Sequence, residues 1–179
     1  MKRLVSTGLA LALLVSCVSN QGSTVCSPDG SLQLSVLTED GVLKYSVSKD
    51  GECIVEPSRL GFELMGGNVL GIRTEILSVE HEKTRTSWET VWGEERVIED
   101  RHNGMTVHTA NLDVEVRVFD DGLGFRYIFP EHLGSIDIRE ELTEFRFARK
   151  DHKIWWMPRS EPYYEAYAEH SSFDEITEA

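Results

Sequence analysis

The sequence predicts an all-β fold, an antiparallel β-sandwich, and three observations carry that expectation. Apolar residues recur at every second position through most of the chain, Asp-Gly pairs separate the alternating runs, and no stretch sustains a helical period. Alternation at two turns one face of each strand to a core and the other to water.

Leu32, Leu34 and Val36 alternate with Gln33 and Ser35 until Glu39-Asp40-Gly41 stops the run. Leu43, Tyr45 and Val47 then alternate with Lys44 and Ser46 as far as Lys49-Asp50-Gly51. Short alternating runs joined by Asp-Gly predict hairpins, because Gly accepts the positive φ of such turns. Further strands are predicted within Leu60–Leu64, Gly71–Val79, Met105–Val107, Leu112–Val118 and Phe125–Phe129, with Asp120-Asp121-Gly122 as another tight turn. Two later runs are Ile136–Ile138 and Phe145–Phe147. The segment 80–103 is the most charged and least periodic, and reads as long connections around Trp88 and Trp92.

The 179 residues suit one domain, and 40% hydrophobic against 27% charged residues allows a buried core. Asp plus Glu outnumber Lys plus Arg by 31 to 18, a net charge of -13 that would repel a phosphate backbone. No Lys/Arg cluster offers a local exception, so nucleic acid is not an expected partner.

Residues 1–16 read as a signal peptide: Lys2 and Arg3 precede an apolar run from Leu4 to Ser16, too short to span a membrane. The run ends in Leu14-Val15-Ser16-Cys17, which resembles a bacterial lipobox with Cys17 as the lipidated residue. An ordinary secretory signal with a chance cysteine is the other reading. Residues 17–24 are small and polar, a tether to a domain over 25–179. The predicted location is the periplasm or outer membrane, with the membrane reached only through the lipid. Cys26 and Cys53 are then left as either a disulfide pair or two separate thiols, and neither has a partner at zinc-ligand spacing.

No phosphate loop, nucleophile elbow or His-Glu-x-x-His motif is present, and the six His are scattered. Glu94-Glu95 and Glu140-Glu141 are adjacent acids that strand geometry would turn to opposite faces, so they read as solvated charge. Trp155-Trp156-Met157-Pro158 followed by Tyr163-Tyr164-Glu165-Ala166-Tyr167 is a denser signal. Aromatic faces stack on sugar C–H surfaces, and a carboxylate among them can meet a hard cation or a hydroxyl. Composition alone favours plain aromatic packing, with Glu165 in water.

In their order, several of these pieces resemble the N-terminal domain of glycoside hydrolase family 97, the α-glucosidase and α-galactosidase family. They are Ser27-Pro28-Asp29-Gly30, Pro57-Ser58-Arg59-Leu60-Gly61, Trp88 to Trp92-Gly93-Glu94 and Phe119-Asp120-Asp121-Gly122-Leu123-Gly124-Phe125. Glu140-Glu141, Trp156-Met157-Pro158 and Asp174-Glu175-Ile176 follow, so the resemblance covers nearly all of the mature chain. It implies a galactose-mutarotase-like super-sandwich followed by a (β/α)8 barrel that carries the catalytic acids, and α-linked oligosaccharides as substrate. It further implies calcium as cofactor, with Glu165 as the one metal ligand from this domain. No catalytic residue is expected within the chain, and no carbohydrate-binding residue is assigned.

On this resemblance the chain reads as an incomplete sandwich with unpaired strand edges and an open core, inactive without the barrel. The alternative is a lipid-anchored, non-catalytic β-sandwich that binds carbohydrate or protein.

Overall fold

The computed structural model describes residues 22–149, 151–157 and 167–176. Cys17, Pro158 and Glu165 lie outside them. Among the described residues there are thirteen strands and two short 3-10 turns, arranged in four antiparallel sheets.

The first sheet has the order β1-β2-β3-β4, from Gly22–Cys26, Leu32–Glu39, Val42–Lys49 and Glu52–Arg59. Strand β1 takes in Gly22, Ser23 and Thr24, which the sequence reading gave to the tether. The Asp-Gly hairpins form as predicted: Asp40 and Gly41 (φ 52° and 74°) and Asp50 and Gly51 (51° and 83°) are left-handed pairs. Two left-handed central residues match the right-handed twist of the flanking strands. Register then sets Leu34 opposite Val47 and Val36 opposite Tyr45, with all four side chains buried.

The second sheet has the order β10-β9-β8-β7. It consists of Ile76–Glu89 (β7), Val97–Thr109 (β8), Asp113–Val118 (β9) and Leu123–Ile128 (β10). Val114, Val116 and Val118 alternate inward on β9, facing Met105 and Val107 of β8 in register. The two sheets pack face to face around these residues and Leu34, Val36, Leu43 and Tyr45. The core is closed there rather than open, with Leu34, Leu43, Val107 and Val118 at 0% exposure. Strand β10 has only β9 beside it among the described residues, an unpaired edge of the kind predicted.

Residues 80–103 are not long connections. They continue β7 and β8 as a two-stranded ribbon, paired from Ile76 with Thr109 to Glu89 with Val97. In its outer half β7 is almost wholly exposed, and the inward positions of β8 are Ile98, Asp100 and the buried His102, so no apolar alternation marks the strands. Trp88 lies opposite Ile98 near the tip, while Trp92, Glu94 and Glu95 are exposed in the connecting turn, off any strand.

A smaller sheet, β11-β5-β6, joins Phe62–Leu64 (β5), Val69–Leu70 (β6) and Ile138–Glu141 (β11). Phe62, Leu70 and Leu112 form its own core, flanked by Phe129 and Leu133. The Gly71–Val79 run is a strand only from Ile76, and Phe145–Phe147 gives a single bridge, Val55 to Phe147. Residues 142–148 nevertheless run along β4. Leu142 and Glu144 N–H groups donate to Gly61 and Arg59 carbonyls (2.8 and 2.9 Å), and Ala148 N–H donates to Ile54 (3.0 Å). This strip covers the free rim of β4 and receives the Tyr45 hydroxyl on the Glu144 carbonyl, 2.9 Å away.

Candidate functional site

The last sheet is the hairpin of β12 (Lys153–Trp156) and β13 (Glu169–Ser172), and Trp155 and Trp156 on β12 come from the aromatic segment that the sequence singles out. Period two sends its tryptophans to opposite faces. Trp156 is half-buried and its Nε1–H donates to Ser171 Oγ (2.9 Å). Trp155 is 72% exposed, and the ring of its register partner His170 stacks on it at 4.7 Å and 21°. Lys153, one step along the same face, lies opposite Ser172.

The hairpin ends in a 3-10 turn, Phe173–Glu175, clasped by Glu175 Oε2, which accepts from the Ser172 N–H (2.8 Å) and Oγ–H (3.0 Å). Those bonds hold the Glu175 carboxyl below the usual carboxylate range. Phe173 packs against Phe147 with the rings tilted by 32° and their centroids 5.4 Å apart, which ties the hairpin to the strip along β4. Met157 and Tyr167, at the two ends that border residues 158–166, are exposed.

Beside the strip is a cleft of about 590 Å³, floored by Ile54 and Phe147 and rimmed by Lys49, Asp50, Glu52, Cys53, Arg149 and His152. Arg149 is paired with Asp151 (2.9 Å), whose carboxyl it holds low. A second cleft, of about 400 Å³, lies between Phe145, Phe147, Phe173 and the Glu56–Arg146 pair.

Cys26 and Cys53 are both free thiols, so the disulfide reading is corrected. They lie on β1 and β4, the two outer strands of one four-stranded sheet. Three strand spacings of about 4.8 Å far exceed the ~7 Å Cα separation that a disulfide can bridge. Glu140 and Glu141 are exposed on β11, where Glu141 accepts from Thr143 Oγ (2.7 Å). Among the described residues no group of three or more His, Cys, Asp or Glu could hold a metal. Sequence alone does not single out His170, because its partner Trp155 stands fifteen positions earlier and only strand pairing joins them.

The model of the family "Glycosyl-hydrolase 97 N-terminal" matches residues 25–179. A probable retaining alpha-galactosidase of Streptomyces bingchenggensis is 31% identical over 157 residues, covering 79% of this chain and 24% of its own length. A retaining alpha-galactosidase of Bacteroides thetaiotaomicron is 24% identical over 129 residues, 72% of this chain and 19% of its own. The chain thus spans about a quarter or less of the curated relatives it matches.

Among solved structures, a family 97 enzyme of Pseudoalteromonas sp. strain K8 in complex with acarbose superposes with TM-score 0.71 and 33% identity. The match covers 76% of this chain and 22% of that one. A variant of the same enzyme in complex with panose matches equally well. A beta-arabinopyranosidase superposes with TM-score 0.73 at 27% identity, covering 82% of this chain and 26% of that one. By the family match over residues 25–179, this chain belongs to glycoside hydrolase family 97 and carries its N-terminal β-sandwich domain.

Proposed function

We propose that the domain serves an exported, calcium-dependent α-glycoside hydrolase as a supporting wall of its substrate pocket, with α-linked oligosaccharides as substrate. The observation that carries this reading is the family match over residues 25–179, joined to likeness in fold to an enzyme solved with acarbose. Bond cleavage needs two carboxyl groups flanking the glycosidic bond. The reading assigns that pair to a (β/α)8 barrel, so the domain positions and does not cleave.

Calcium takes about six to eight oxygen ligands. The reading gives this chain one of them, Glu165, beyond the residues that the structure describes. A bound calcium would supply positive charge near the scissile bond, and the domain's part is to present one carboxylate oxygen to it. Export follows from residues 1–16, and lipidation of Cys17 would hold the domain at a membrane surface.

The test is a chimera in which residues 25–179 replace the matching segment of the Pseudoalteromonas enzyme. Hydrolysis of an α-linked aryl glycoside that is retained, and lost in Glu165→Ala or on chelation, supports the reading. A folded but inactive chimera overturns it. The 179-residue chain alone, with calcium, is expected to give no turnover, and labelled fatty acid is expected on the wild type but not on Cys17→Ala.

A further inference from the structure

We infer that Trp155, held flat by His170, is a stacking platform for the C–H face of a pyranose ring in a neutral α-linked oligosaccharide. The inference rests on the functional reading above and adds to it a contact residue that the resemblance does not supply.

Three observations carry it. Trp155 keeps 72% of its surface in water, although the neighbouring Trp156 on the same strand is half-buried and hydrogen-bonded to Ser171. The strand is therefore anchored, and the exposure of Trp155 belongs to its face rather than to a loose hairpin. His170 stacks on the indole at 4.7 Å and 21°, so one side of the ring is backed and its orientation is set before any ligand arrives. A fixed aromatic ring loses little conformational entropy on binding.

The polar surroundings fit a neutral sugar. Lys153 and Ser172 lie one step along the same face, and Glu175 is clasped to Ser172, so hydroxyl groups meet both donors and acceptors. The fringe has both signs of charge and gives an anionic ligand no net advantage. Trp88 and Trp92 on the ribbon are also exposed, yet no aromatic or His ring among the described residues backs either of them.

The experiment titrates the 179-residue chain with panose, reading tryptophan fluorescence and the indole N–H resonances. Saturable binding that perturbs one indole, weakens at least about tenfold in Trp155→Ala and is largely kept in Trp155→Phe supports the platform. His170→Ala should weaken it by a few fold, and Trp92→Ala should leave it unchanged. Binding that survives Trp155→Ala overturns the platform, as does a wild type that shows no binding. Either result leaves the functional reading standing if the chimera is active, so the two can fail separately. Each variant's thermal melt, matched to wild type, excludes misfolding as the cause.

Discussion

Gly61 and Gly71 sit back to back where two backbone segments cross with no room for a side chain on either. A Cβ on Gly71 would overlap the Leu60 carbonyl oxygen, and one on Gly61 would overlap that of Leu70. The crossing lets β4 turn into the small sheet directly beneath the main core. Gly71 also has φ +82°, so conformation and space both demand glycine.

Gly71→Ala is therefore expected to destabilise the domain by at least about 2 kcal/mol, read from urea unfolding. Gly51 shares a similar φ (+83°) but has nothing within 4 Å of the added carbon. Gly51→Ala should cost only about 1–2 kcal/mol, the left-handed penalty alone. Equal losses at the two sites would contradict the crossing.

Leu34 is fully buried at the centre of the main core. Leu34→Ala should cost about 2–5 kcal/mol through lost transfer energy and the cavity left behind. Val91, 99% exposed at the ribbon tip, is the contrast, and Val91→Ser should stay within about 0.5 kcal/mol of wild type. A large effect at Val91 would mean that the ribbon tip is packed in solution.

Hydrogen bonds from Ser27 Oγ, then from the Ser31 N–H and Oγ, pull the Asp29 carboxyl down to about 2 from an ordinary 3.8. A depressed carboxyl stabilises the fold above its unfolded pKa, and that contribution fades as pH falls through the folded value. The melting temperature of wild type should exceed that of Asp29→Asn at pH 7. The gap should hold to about pH 4 and close towards about pH 2. A gap independent of pH would place the effect in something other than the charge of the Asp29 carboxylate.

Both cysteines are free, with Cys53 exposed and Cys26 half-buried. Under native conditions a maleimide should modify Cys53 first and Cys26 more slowly, with no reductant needed, as intact mass would show. A folded chain that takes up no label until reduced would restore the disulfide.

The Leu32–Glu39 and Val42–Lys49 hairpin was legible because one face is dry and the other wet, so alternation and the Asp40-Gly41 turn agree. The β9–β10 connection was legible only as a turn. Val118 pairs with Leu123, which leaves four residues between them, and Gly122 does not take a positive φ. The ribbon was hidden because the one side chain its outer half fully buries, His102, is polar, and pairing between backbones leaves no mark on residue type. Long-range order was hidden as well. Sequence could not tell that Cys26 and Cys53 occupy opposite rims of one sheet, or that Trp155 meets His170. The aromatic segment was visible as composition, while which tryptophan faces water depends on a register that only the folded hairpin sets.

The strip along β4 has a consequence for synthesis. Tyr45 and its acceptor Glu144 are ninety-nine residues apart, so the ribosome finishes the first sheet long before its cover emerges. At about 5–20 residues per second that interval is roughly 5–20 s. For those seconds the nascent polypeptide presents a bare β rim that other chains could seize, a window in which a holding chaperone would decide the yield.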